Sequence, residues 1–441
     1  SFYYFCVVRK SYKYNIKCEK KIINQIILKS KNYSFSSVLL TNNNLHKSNM
    51  PEKYISYDCI AAFDMIDTLL SNSNSFEKLS VFHNNKKDWL FGSLSYDLKN
   101  ELEQLSSNNY DGVFAPDLFF FIPKYVLFLK EKQIEILSHE SKKNVDIFFK
   151  SLVSLKQKND IKTTKINVKK RENKNQYLKK INAIKKNIQR GDIYEMNYCL
   201  DFFSKNVDLN CEDLFLKVNN YIKNPFSAFI HMKDYYILSA SPERFLKKSG
   251  QDVLSQPIKG TLRRGLNEDE DNKMLDEFKN SYKDISENVM ITDLVRNDLS
   301  IDALKSTVRV KELSKIYTFE KVHQMISTIT SKVDAKCCFT KLLKSTFPMG
   351  SMTGAPKLKS MELIEKYENF KRGFYSGSIG YVTPESDFDF NVIIRSIVYN
   401  AKTKYLSIGV GGAITINSVA EKEYEECLVK IQPILDIIDD K

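Results

Sequence analysis

Lys259 stands between a proline and a glycine in Pro257-Ile258-Lys259-Gly260-Thr261. The run Asp252-Val253-Leu254 followed by Gly260 reads as a strand entering a turn. A lysine held on a stiff backbone and shielded from water can give up its proton and act as a nucleophile. No other short stretch of this chain carries so specific a chemical suggestion.

Carboxylates supply a second kind of chemistry. In the segment from Ser286 to Leu299, Met290, Ile291 and Leu294 form an apolar stripe at helical spacing. Glu287 precedes them by three, four and seven residues, which puts it on the same stripe. A carboxylate turned toward a core needs a partner, either a metal ion or an arginine. The plainer alternative is a glutamate near a helix N-terminus, favoured by the macrodipole. A C-terminal helix has Tyr424, Cys427, Leu428, Ile431 and Leu435 on its buried side, with Glu423 and Glu426 on neighbouring faces one turn apart. Two acidic helix starts can meet around Mg2+, which takes a few carboxylates together with water and substrate oxygens.

Anion-binding features come third. The run from Phe347 to Lys357 is a small-residue loop entering a helix, with Pro356 at its first turn. Such a loop lets backbone N–H groups approach an anion. Gly409-Val410-Gly411-Gly412-Ala413 follows the strand from Tyr405 to Ile408 and is either a bulge or a close ligand approach. Arg395 ends an apolar strand, where it can fork onto a carboxylate or join a surface ion pair.

The elements that carry these residues point to an α+β fold, because helices and strands mix without βαβ alternation. The 441 residues, 42% hydrophobic and 12% aromatic, suffice for a large core and argue against disorder. Leu118 to Ile122 reads as a buried strand that soon meets Pro123. Residues 1–130 read as an N-terminal portion of strands and turns. Residues 131–176 read as a lysine-rich surface connection, with little apolar patterning after Val153, and 177–441 as the catalytic portion. Tyr177 to Ile188 has helical spacing, closed by Gly191, and Tyr194 to Tyr198 reads as a strand.

No apolar run reaches the roughly 20 residues of a membrane span, so no membrane partner is expected. Ser1 to Arg9 lacks the layout of a signal peptide. The eight cysteines, among them Cys6, form no metal-spaced pair and read as reduced thiols of a cytoplasmic protein. The net charge of +13 is spread widely and comes without a recognition motif, so no nucleic-acid partner is expected. A positive field still draws a dianionic small substrate.

Taken in order, the motifs have a family resemblance. Ser-Pro-Glu-Arg-Phe (241–245), the Lys259 segment, Glu-Asn-Val-Met-Ile-Thr-Asp-Leu-Val-Arg-Asn-Asp (287–298), Gly-Ser-Met-Thr-Gly-Ala-Pro-Lys (350–357), Gly-Ser-Ile-Gly-Tyr (377–381) and Glu-Lys-Glu-Tyr-Glu-Glu (421–426) follow one another. The chain resembles the chorismate-utilising enzymes, strongly from about residue 175 onward and more weakly before. The resemblance implies antiparallel sheets in a sandwich-like core surrounded by helices. It also implies a magnesium-dependent reaction on chorismate. Lys259 would add to the ring in its neutral form, Glu243 would protonate the departing ring hydroxyl, and ammonia would then displace the lysine. Glu287 and Glu426, with Glu423 close by, would hold Mg2+. Tyr381, Arg395 and the backbone near Gly412 would hold the enolpyruvyl carboxylate. Gly350, Ser351, Thr353, Thr261, Ala413 and His323 would line or support the pocket.

In this family, lysine at the third position of the Pro257–Thr261 motif marks the aminodeoxychorismate-forming branch, on the way to p-aminobenzoate and folate. Alanine there marks the anthranilate-forming branch, which is the rival reading. A non-catalytic homologue that only binds chorismate is a further rival, but it would need neither acid nor nucleophile. Met349 and Ala413 stand where glycine is expected, and Ala420 where proline is frequent. Glu195 stands where glutamine is common; isochorismate-forming relatives place a water-activating lysine there. The chain has no cysteine in a glycine-flanked elbow with a downstream His-Glu pair. The resemblance therefore implies that a separate glutamine amidotransferase subunit, component II, supplies ammonia. Val38 to Thr41 loosely resembles a region that holds tryptophan in some members.

Overall fold

The computed structural model describes residues 8–42, 54, 57–156, 166–320 and 322–439. Cys6, Lys158 and the first seven residues of the stretch read for a signal peptide lie outside the described residues. Every strand pairing among the described residues is antiparallel, and the ladders form two sheets that share one long strand. That strand, Leu118–Lys130, pairs along its length with Cys59–Ser71. Its other edge pairs first with Leu90–Leu94 and then with Gln133–Ser138. Pro123 does not end it. The register shifts between Met65 and Asp67 opposite the proline, the kind of irregularity that tolerates a missing N–H.

From the shared strand, one sheet runs through Cys59–Ser71, Phe35–Leu40, Phe226–Met232, Tyr235–Ser241, Ser396–Asn400 and Tyr405–Ile414 to Glu195–Ser204. The other runs through Leu90–Leu94, Ser378–Val382, Phe388–Val392, Arg244–Ser249 and Asp252–Gln256 to Val322–Lys332. The period of two along each strand sorts the side chains. Ile60, Ala62, Phe119, Phe121, Ile230 and Ile379 fill the space between the sheets. Ala61, Phe63 and Leu127 face helices on one outer side. Phe120, Phe388 and Phe390 face helices on the other, where Ile291 of a helix joins them. This is the helix-flanked α+β sandwich expected from the sequence. No helix of the described residues is long and apolar enough to cross a membrane.

The stretch 131–176 differs from its reading as a surface connection. Gln133–Ser138 is a strand and Lys142–Val153 a helix, and Ile134, Ile136, Val145, Phe148 and Leu152 are core residues. Lysines on the exposed faces hide this alternation when only composition is weighed. The helix Lys174–Gln189 starts from a capping box of Asn173 and Gln176, and Gly191 follows its end at φ +83°.

Three elements set the site. Ile258–Arg263 is a bulged strand against Val322–Lys332, not a strand entering a turn, and its register slips between Ile258 and Thr261. Gly260 lies inside that slip at φ +90°, where a Cβ would meet the Phe278 ring and Asp284 at 3.0 Å. The helix Tyr282–Ser300 begins at Ser281, whose hydroxyl accepts from the Asp284 N–H, and it buries Glu287, Ile291 and Val295. The turn Gly350–Met352 is tied to Glu195–Ser204 through a two-residue ladder, Gly354 to Met196 and Ala355 to Glu195.

Arg372 fastens that junction. Its guanidinium donates to Glu368 at 2.6 Å and 2.9 Å, to the Met352 carbonyl at 2.8 Å and to the Asn197 carbonyl at 3.0 Å. Both charged partners are sealed from solvent. Arg372→Met leaves Glu368 an uncompensated buried charge. The substitution should lower the unfolding free energy by about 3–5 kcal/mol, read by urea denaturation.

Candidate active site

Lys259 is the centre of a cluster of buried charge. Its Nζ donates to Glu195 Oε1 at 2.8 Å, and Glu287 and Glu243 add their negative potential. Burial works to lower the lysine's pKa, but these carboxylates outweigh it and the net shift is upward. At rest the ammonium form is favoured, which departs from the expected neutral lysine. Shielding from water does not free the proton when the shield is lined with carboxylates.

Glu243 comes from the turn between Tyr235–Ser241 and Arg244–Ser249. The Ser351 hydroxyl donates to its Oε1 at 2.6 Å. Burial pushes the carboxyl up to about 7, against the lowering effects of Ser351 and Lys259. A side chain held at that value carries a proton near neutrality and can pass it on. The pocket wall beside Glu243 includes Met349, Gly350 and Ser351, together with Pro257, Val295 and Asp298.

The two acidic helix starts do approach one another. Glu287 is buried and held at about 7, by burial first, with Lys259 and Lys283 opposing and Glu195 and Glu423 reinforcing. Its Oε1 is buried and has no hydrogen-bond partner among the described residues. Lys283, one turn earlier on the same helix, reaches Glu423 at 3.1 Å and Glu426 at 3.7 Å. Burial works against ionisation of Glu426, yet Lys430 at 2.6 Å and Lys283 bring it down to about 2. Among the described residues, no three acidic, histidine or cysteine side chains form a ready metal cage. The chemistry of the set still suits magnesium: all oxygen donors, one orphaned oxygen, and a half-exposed ammonium in the place of a cation.

The remaining expected residues divide. Arg395, at φ +52°, donates to the Lys430 carbonyl at 2.8 Å, and among the described residues it has no carboxylate in ion-pair range. Burial lowers its pKa, while Tyr375 and Glu426 act the other way. Gly412 faces Glu423, Glu426 and Lys430, and a Cβ there would find only ordinary contacts. Gly409 instead accommodates the Tyr375 ring, which a Cβ would strike at 2.4 Å. Ala413 is buried one residue past Gly412 on the same strand.

Tyr381 lies elsewhere, between the sheets among Tyr57, Trp89 and Phe91. Tyr375 is the tyrosine that acts electrostatically on Arg395. Thr353 donates its hydroxyl to the Gly350 and Met349 carbonyls and so closes its own loop. Gly350 leaves room for Leu294, 2.6 Å from where its Cβ would be. Thr261 is exposed beyond the bulge. Both His323 ring nitrogens are occupied, by Thr318 and Asp271 at 3.0 Å each, which makes it a strut for the Asp271 helix. Lys283 was legible as a lysine four residues before Glu287. Nothing in the spacing separates Tyr375 from its neighbours.

The sandwich, with a buried lysine coupled to an acid of raised pKa and to two acidic helix starts, defines a class. The chain belongs to the chorismate binding enzyme family, whose model matches residues 26–436. Aminodeoxychorismate synthase component 1 of Escherichia coli K12 is 32% identical over 346 residues, covering 78% of this chain and 75% of that protein. Aminodeoxychorismate synthase of Arabidopsis thaliana chloroplasts is 32% identical over 363 residues, covering 77% of this chain but only 39% of that longer protein. Among solved structures, anthranilate synthase component I of Streptococcus pneumoniae superposes with a TM-score of 0.77 at 21% identity, over 85% of this chain and 91% of that one. The menaquinone-specific isochorismate synthase of Escherichia coli gives 0.74 at 15%, over 98% and 95%. These two share the fold.

Glu243 makes the site's pH signature testable. Its pKa rises from 4.5 to about 7 on folding. Its contribution to stability is therefore full below pH 4.5 and lost as pH rises through 7. Glu243→Gln removes that dependence. Relative to the native chain, the variant should gain on the order of 3 kcal/mol between about pH 4.5 and about pH 8, read by denaturation in metal-free buffer.

Proposed function

We propose that the protein is the chorismate-aminating component of an aminodeoxychorismate synthase. It would convert chorismate and ammonia to 4-amino-4-deoxychorismate in the cytoplasm. The carrying observation is Lys259 buried beside an acid, Glu243, held at about 7. The relatives named aminodeoxychorismate synthase component 1 support the same reading. Lys259 forms the bond to the ring, and Glu243 protonates the hydroxyl that leaves. Ammonia from a glutamine amidotransferase subunit then takes the hydroxyl's place and expels the lysine. Arg395, with no carboxylate in ion-pair range among the described residues, and the backbone at Gly412 hold the enolpyruvyl carboxylate, with Tyr375, which acts electrostatically on Arg395, in the role first given to Tyr381. Magnesium, when bound, would be held by Glu287, Glu423 and Glu426 and would neutralise the ring carboxylate. Lys283, now at 3.1 Å from Glu423 and 3.7 Å from Glu426, is the cation whose place the ion would take.

Product analysis with chorismate, magnesium and excess ammonium tests this reading. The native chain should release aminodeoxychorismate. Lys259→Ala should lose on the order of 10³-fold or more in turnover, as loss of a nucleophile does. Anthranilate with pyruvate from the native chain would instead establish the rival chemistry.

A further inference from the structure

We propose that Glu195 is the base that turns Lys259 into a nucleophile, taking its proton through their 2.8 Å contact. The inference rests on the reading of Lys259 given above. Glu195 is fully buried. Its Oε2 is also buried and has no hydrogen-bond partner among the described residues. A carboxylate with an unpartnered buried oxygen is expensive as an anion and much less so once it carries a proton. Its backbone cannot retreat. Ala355 pairs with it across the ladder, and the Ser360 hydroxyl donates to its carbonyl at 3.2 Å. When substrate fills the cavity and displaces water, the low dielectric favours neutral amine and neutral acid over the ion pair.

The other charged groups around Lys259 do not fit this role. Glu243 must keep its own proton for the leaving hydroxyl, and Ser351 already occupies its Oε1. Glu287 acts on Lys259 only from beyond ion-pair distance, and Lys283 faces it from one turn earlier. Glu426 interacts with Lys259 from the C-terminal helix but is committed to Lys430. That leaves Glu195 as the carboxylate in contact.

The protons balance through the whole cycle. The ammonium proton passes to Glu195, and the freed Nζ pair bonds to a ring carbon. The ring double bonds shift and the carbon–hydroxyl bond breaks, with Glu243 giving its proton so that water leaves. Nζ is then a secondary ammonium. Ammonia bonds at the carbon that held the hydroxyl, and Nζ departs as a neutral amine. Glu195 returns its proton to Nζ, and the new ring ammonium reprotonates Glu243.

Two measurements on the native chain, Glu195→Gln and Glu195→Asp test the assignment. The first needs no turnover: acylation of Lys259 by trace acetic anhydride across pH, read by peptide mass spectrometry. Without the carboxylate, the Glu195→Gln midpoint should fall by at least about one pH unit. The second is kcat against pH with saturating chorismate and ammonium. Native kcat should fall above about pH 7, as Glu243 loses its proton, so each variant is read as its ratio to the native chain. At pH 7 the Glu195→Gln ratio should be about one tenth or less, with KM nearly unchanged. The ratio should then climb about tenfold per pH unit toward the variant's own acylation midpoint. Glu195→Asp should restore a ratio that does not change with pH. An unchanged acylation midpoint, or a Glu195→Gln profile matching the native one, overturns the assignment. A native chain that makes no aminodeoxychorismate overturns instead the functional reading on which it rests.

Discussion

A buried ammonium persists only beside negative charge, and the site of this protein is arranged around that requirement. Lys259 is met from three directions: by Glu195 on a strand, Glu243 in a turn and Glu287 on a helix. None of the four side chains is placed by its neighbours in sequence. The bulge at Gly260, the ladder at Gly354 and the buried stripe of the Tyr282–Ser300 helix each deliver one member to the same charged cluster. Remove the lysine's charge and three carboxylates would repel one another in a poorly solvated space. Remove the carboxylates and the lysine would lose its proton to burial.

This crowding also separates the acids by role. Glu243 and Glu287 are pushed upward because burial outweighs the lysine they share, while Glu426 is drawn down by Lys430 and Lys283. Carboxyls of one intrinsic acidity thus become a proton donor in one place and a fixed anion in another. Lys283 supplies a cation to the anionic corner, and its half-exposed position leaves it free to yield that corner to a stronger one.

Much of this was legible in the sequence, and the rest failed for identifiable reasons. Lys259 and Glu243 were readable because their backbone settings, Pro-Ile-Lys-Gly and Ser-Pro-Glu-Arg, are unusual. Glu287 was readable because a charge on an apolar helical stripe demands explanation. The sandwich followed from mixed strands and helices. Tyr381 was misplaced because period-two alternation sends it between the sheets, while Tyr375, in the loop before that strand, is the tyrosine that acts electrostatically on Arg395; only register distinguishes them. His323 is buried, but by pairing with Asp271 and not by facing the cavity. The pairing of Glu195 with Lys259 spans 64 positions and two strands of different sheets, a contact that no local pattern encodes.

The ladder between Gly354–Ala355 and Met196–Glu195 is only two residues long, yet it joins the two sides of the chemistry. On one side of it hangs Ser351, which touches Glu243. On the other hangs Glu195, which touches Lys259. Through this mechanical linkage the donor side and the lysine side form one block. A disturbance of the small-residue loop is transmitted to both at once, so geometric errors in the cavity are correlated and not independent. The fold has coupled the two halves of the proton inventory by backbone alone.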